Sequence, residues 1–191
     1  MFFKKKINYN KEFESRDSIF SFLYGDRSRT ATILGDENFL AAWHASPNAS
    51  LIEGVMKAEA EKGDLPSIKQ MIWLYNIYFQ NARDLSSDTS TVKKIQIKSL
   101  EDRAKFCLMA VELGERQASY QAMRSYQNLY SIYMSSGMVL DDLKVKVAIL
   151  GICSFAEQFL DSGYGDEELI QDAKDALKEH RVMAMFISSQ L

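Results

Sequence analysis

The segments Met56-Lys57-Ala58-Glu59-Ala60-Glu61-Lys62-Gly63 and Cys107-Leu108-Met109-Ala110-Val111-Glu112-Leu113-Gly114 decide the fold. Each is a run dominated by good helix formers that stops at a glycine, the residue that most easily takes the left-handed conformation closing a helix. The second run lies 51 positions after the first (63 to 114), and Gly163 closes a third helix 49 positions later (114 to 163). The shift of 51 also brings Tyr75 onto Tyr126 and Phe79 onto Tyr130 in the helices that follow. Helix pairs recurring at a fixed step bury their apolar sides by stacking on one another. Ala58, Ala110, Ala118 and Ala122 are small enough to let neighbours approach closely. The expected fold is therefore all-α, a short α-solenoid of antiparallel helical hairpins over residues 49–191. An N-terminal helical addition over 1–48 precedes it.

Working outward, Ser50 and Glu53 have capping-box spacing and predict a helix from 50 to 62. Asp64 before Leu65-Pro66 predicts an N-cap and a helix over 65–83, with Ile68, Met71, Ile72, Tyr75, Tyr78 and Phe79 at helical spacing. The Ser-, Asp- and Thr-rich residues 84–92 read as a loop. Ser99 and Asp102 resemble the next cap, before a helix that ends at Gly114. Further helices are expected over 116–135 and 141–161, and a last one from Asp166 onward. Upstream, short helices are expected over 11–24 and 36–45, followed by a break at Ser46-Pro47-Asn48.

Composition agrees with a helical globule. Of 191 residues, 47 % are hydrophobic and 26 % charged, while nine glycines and two prolines are too few for the turns of a β-sandwich or barrel. The net charge of −3 argues against nucleic-acid binding, which rests on neutralising phosphates. The basic residues Lys4, Lys5 and Lys6, and Lys93, Lys94, Lys98, Arg103 and Lys105, are expected to be solvated surface. Asn8, Asn10, Lys11 and Glu12 interrupt any apolar signal segment, and no window is apolar enough to span a membrane. The default location is cytoplasmic.

Catalytic chemistry has little to stand on. The only histidines, His44 and His180, have no metal-ligating residue three or four positions away. His44 is expected to cap or be partly buried, and His180 to sit on a helix face near Asp175 or Glu179. Cys107 and Cys153 lie in apolar helices and read as small buried hydrophobes. Gly25-Asp26-Arg27-Ser28-Arg29-Thr30 lacks the lysine of a phosphate loop, and Asp161, Asp166, Glu167 and Glu168 lack calcium-loop spacing. No catalytic residue, metal or cofactor is expected.

A binding surface is the stronger expectation. Lys69, Trp73, Asn76 and Gln80 share one stripe of the 65–83 helix, and the shift of 51 gives Tyr120, Arg124, Gln127 and Ser131 on the 116–135 helix. In a solenoid such helices line the concave surface, and Trp, Tyr and Arg are the side chains that most often anchor protein interfaces. Tyr126, Tyr130 and Tyr133 are expected in the core instead.

The run Lys57–Asp64, and Ala110-Val111-Glu112-Leu113-Gly114 continuing to Ala118, Leu129 and Tyr130, resemble Sel1-like repeats, longer relatives of tetratricopeptide repeats. Gly137-Met138-Val139-Leu140-Asp141-Asp142 is similar to the family's glycine-containing loop with an acidic helix start. The resemblance spans residues 50–165. It departs from the family in a longer step, assigned to a long loop at 84–98, and in bulky residues after Tyr75. It implies a non-catalytic module that binds another protein. The most concrete form is a cytoplasmic immunity or inhibitor protein that blocks a partner more basic than itself. A scaffold or adaptor without inhibitory activity, and an enzyme with an unrecognised site, are the alternatives.

Overall fold

The structure, a computed structural model, describes residues 8–15, 18–19 and 38–189. It is all-α, and among the described residues there is no strand. A short α1 (Tyr9–Glu12) is followed by α2 (Phe39–Ala45), α3 (Pro47–Glu61) and α4 (Leu65–Gln80). After a 3-10 turn at Ala82–Asp84 come α5 (Thr89–Glu112), α6 (Gln117–Ser135), α7 (Leu143–Asp161) and α8 (Glu167–Ser188).

From α3 onward each helix packs mainly on the one before it and the one after it, so the chain is a short solenoid of antiparallel hairpins. Ion pairs tie alternate helices together and show the two layers. Lys105 reaches Glu61 (3.1 Å), joining α5 to α3, and Lys144 approaches Glu101 (3.9 Å), joining α7 to α5. On the other layer Lys69 of α4 pairs with Glu115 just before α6, and Arg124 of α6 lies 3.4 Å from Asp172 of α8. All are substantially exposed, so they mark the layering more than they stabilise it.

The repeat seen in the sequence has a structural counterpart at its turns. Gly63 and Gly114 take φ of +93° and +85°, and the residue after each closes the same wide turn: Asp64 N–H to the Glu59 carbonyl (3.1 Å), Glu115 N–H to the Ala110 carbonyl (2.9 Å). Only glycine enters that conformation without a Cβ penalty.

Several boundaries differ from expectation. Half of the helix placed at 11–24 lies outside the described residues; within them residues 13–15 form a turn that ends α1, and residues 18–19 are helical. α3 starts at Pro47, not Ser50, because the Ser46 side chain accepts the Ala49 N–H (3.2 Å) and proline fits the first turn. The 65–83 helix stops at Gln80. The greatest displacement is at α5. Asp88 accepts the Thr91 N–H (2.7 Å), so the helix begins ten residues before the cap expected at Ser99. Ser99 is buried within it and donates to the Ile95 carbonyl (2.8 Å). The long repeat step therefore comes from a 24-residue helix, not from a loop over 84–98.

The N-terminal addition shares a core with the repeats. Tyr9, Phe13, Phe39, Leu40 and Trp43 pack in one cluster with Ile52, Met56, Ile68, Met71 and Phe106. The indole N–H of Trp43 (2.9 Å) and the hydroxyl of Tyr78 (2.6 Å) both donate to the Glu53 carboxylate, clasping α2, α3 and α4. Farther along, Tyr126 and Tyr130 pack against the α5–α8 cores and Tyr133 is buried there, as expected.

The α6–α7 contact depends on a missing side chain. A Cβ built on Gly151 of α7 would stand 2.6–2.8 Å from the ring of Tyr126, which also stacks on Phe155 (5.8 Å). Gly54 of α3, by contrast, has nothing within 4 Å. Gly151→Ala is expected to lower unfolding free energy by about 1–3 kcal/mol through overpacking, while Gly54→Ala raises it by about 0.5–1 kcal/mol through helix propensity. Urea denaturation of the two variants measures both signs.

Candidate functional site

The even-numbered layer carries a cleft of about 260 Å³ between two hairpins. α4 forms one wall with Lys69, Ile72, Trp73 and Asn76, and the start of α6 forms the other with Glu115, Gln117 and Gln121. α5 lies between them and contributes Arg103. The side chains meet because α4 and α6 stand on the same side of α5, one repeat step apart.

The eight residues of the expected stripe divide between this cleft and its surroundings. Lys69, Trp73 and Asn76 line it, whereas Gln80 is exposed beyond it. Trp73 is half-buried, with its ring edge-on to Phe39 (6.3 Å, 79°), so it is both a packing residue and a wall of the cleft. Its indole nitrogen is buried without an acceptor among the described residues. On α6, the Tyr120 hydroxyl donates to Asp172 (2.8 Å) and its ring tilts against Phe159 (5.3 Å). Arg124 is held by the same Asp172 and donates to Gln127 (3.1 Å). Ser131 is exposed and donates to the Gln127 carbonyl (3.0 Å). Tyr120 and Arg124 are thus bonded across to α8, whereas Gln127 and Ser131 bond within α6.

Arg103 was expected on the solvated surface and is not there. It is half-buried, its Nε has no acceptor, and it makes no ion pair with a described residue. Burial, helped by the like charge of Arg124, holds its pKa below the ordinary arginine value. The signal lay in its register: Arg103 falls three after Leu100 and four before Cys107, both fully buried, so it continues the apolar stripe of α5.

A second, larger groove of about 430 Å³ runs between α3, α4 and α5, lined by His44, Glu53, Tyr75, Tyr78, Lys94 and Lys98 among others. Several of its polar groups already have partners. Tyr78 is bonded to Glu53 and stacked on His44 (5.4 Å, 10°), and Lys98 on Asp102 (2.9 Å). Burial foremost, then the charge of Glu53, drives the Tyr78 pKa far up, so the phenol stays a donor. His44 is exposed, stacked rather than capping.

His180 departs from expectation. It is 3 % exposed, edge-on to Tyr130 (5.1 Å), with Nδ1 3.0 Å from the Ala176 carbonyl and no pairing to Asp175 or Glu179. The reason is register again, since Ala173, Ala176, Ala184 and Ile187 place it on the buried stripe of α8. Both cysteines are buried as expected, and burial pushes the Cys107 thiol up to about 12, where no thiolate forms near neutrality. Among the described residues no His, Cys, Asp and Glu group is arranged to hold a metal ion, and no helix is long and apolar enough to cross a membrane.

No protein-family model matches the chain, and neither a curated protein nor a solved structure matches it.

The Tyr120–Asp172 contact has a measurable signature. Burial, then the bond to Asp172, raises the Tyr120 pKa to about 12. The folded state therefore favours the neutral phenol. That contribution is complete below about pH 10, the unfolded value, and is lost as pH rises toward 12. Tyr120→Phe should flatten the fall in denaturation midpoint across that alkaline window, so that the difference between the two proteins is constant below about pH 10 and changes only between about pH 10 and 12. Tyr133, raised to about 12 mainly by burial, keeps a residual slope in the variant.

Proposed function

We propose that this chain is a non-catalytic protein-binding module, a relative of the Sel1-like and tetratricopeptide-like solenoids, that acts in the cytoplasm by occluding a protein partner. The observation that supports this is the pair of donors without acceptors, the Trp73 indole N–H and the Arg103 Nε–H, in one cleft between stacked hairpins. Buried donors usually find an acceptor, and leaving one unmade costs about 1–3 kcal/mol. A binding surface accounts for that cost, because the acceptor arrives with the partner. Tryptophan and arginine at the centre of a recessed surface are also the side chains that most often dominate interface energetics.

Occlusion is the mechanism this geometry offers. A segment of the partner lies along the α4–α6 face with Trp73 in the cleft and Arg124, tethered to Asp172, farther along α6. The overall charge of −3 favours approach of a partner that is basic as a whole. The immunity or inhibitor form is the specific version proposed, in which the covered surface is the partner's own working surface.

Affinity capture with the full chain, followed by binding measurements on the captured protein, tests this. Trp73→Ala is expected to weaken the complex by about ten-fold or more, in line with interface tryptophans. Trp73→Phe keeps an aromatic ring beside Phe39 but loses the N–H and one ring of the indole, so a smaller loss of affinity than in Trp73→Ala is expected, with the melting temperature reporting the packing lost. Equal affinity in both variants excludes this face. A partner whose activity stops on mixing supports inhibition, and one that stays active supports the adaptor form.

A further inference from the structure

The charges around the α4–α6 cleft do not cancel. Lys69 is taken by Glu115, and Arg124 by Asp172. Arg103 alone is left over: it lines the cleft, carries its charge at any ordinary pH, and forms no hydrogen bond or ion pair with a described residue. A half-buried guanidinium is costly to keep without an anion, so a sequence under no further demand would place an apolar residue at that register of α5.

We propose that Arg103 receives an acidic side chain, Asp or Glu, of the protein partner, with the Trp73 indole N–H as the second donor. This rests on the reading of the cleft as a protein-binding face. The chemistry of the walls selects that ligand. Arg103 and the Trp73 indole can only donate, Asn76, Gln117 and Gln121 add carboxamide N–H groups, and a guanidinium matches a carboxylate with two parallel bonds. Ile72 and the Trp73 ring supply an apolar flank for the methylene stem of such a side chain. Glu115 on the rim, although paired with Lys69, sets a negative charge beside the cleft that disfavours a doubly charged group such as a phosphate monoester. The partner is thus basic overall and inserts one acidic residue locally.

The test uses the intact chain as bait for a displayed library of short random peptides with amidated C-termini. Peptides carrying a required Asp or Glu are expected. Replacing that residue by Asn or Gln, or Arg103 by Met in the protein, should each weaken binding by about ten-fold or more, and the two changes together should cost little beyond either alone. Arg103→Met preserves an unbranched stem, and its circular dichroism and melting temperature report whether it folds. Should it not fold, the peptide substitution against the unaltered protein decides alone. Selected peptides indifferent to the loss of their acid, or a folded Arg103→Met that binds them equally well, overturn the assignment and leave the protein-binding reading standing. Selection of no peptide at all removes both.

Discussion

Two-sided burial is the constraint on which this architecture rests. α5 presses Phe106, Cys107 and Ala110 toward α4 and its neighbours, and Leu100 toward α6 and α7. No helix with two apolar sides is stable at the surface of a bundle, so each must lie between a predecessor and a successor. The solenoid is the arrangement that satisfies all of them in sequence order. Turns of a few residues then suffice, and the positive-φ glycines at 63 and 114 reverse the chain tightly enough for consecutive helices to touch along their lengths. The same constraint explains Gly151, where a helix gives up intrinsic propensity so that the Tyr126 ring of its neighbour can lie against its backbone.

Stacking also creates the cleft. Any three successive helices leave a furrow on the layer where the first and third stand side by side, and its floor is the middle helix. Between α6 and α8 the furrow is filled, because Tyr120 and Arg124 both reach Asp172. One repeat earlier, Lys69 and Trp73 occupy the positions of Tyr120 and Arg124, and the furrow above Arg103 stays open. The repeat thus gives one site twice, closed by the protein's own side chains in one copy and open in the other.

The fold was legible where local chemistry and global packing agreed. Asp64 and Asp166 cap the helices they precede, with bonds of 2.9 and 3.0 Å to Ser67 N–H and Leu169 N–H, and the glycine-closed turns fall where the sequence put them. Legibility failed where two cap signals competed. Ser46 prevails over Ser50 because Pro47 is compatible with a first turn, and Asp88 prevails over Ser99 although Ser, Asp and Thr composition points to a loop there. The site was legible in part. Trp73 stood out by residue type, but Arg103 was hidden among lysines of which Lys94, Lys98 and Lys105 are exposed, and its register with Leu100 and Cys107 separates it from them. What no single-chain pattern conveys is which of two equivalent furrows is filled, since Asp172 is 48 residues from Arg124 in the chain.

The nearest-neighbour build sets how the molecule loosens. α8 leans on α7, touches α6 slightly, and turns Val182, Met185 and Phe186 outward at 77, 67 and 64 % exposure, so among the described residues no element packs on its far side. α5 and α6 are enclosed by helices before and after them. Opening therefore starts at α8 and advances inward one layer at a time, so backbone amides of α8 exchange with solvent before those of α5. The furrow above Arg103 lies in that slower region, and its shape persists while the end of the stack breathes.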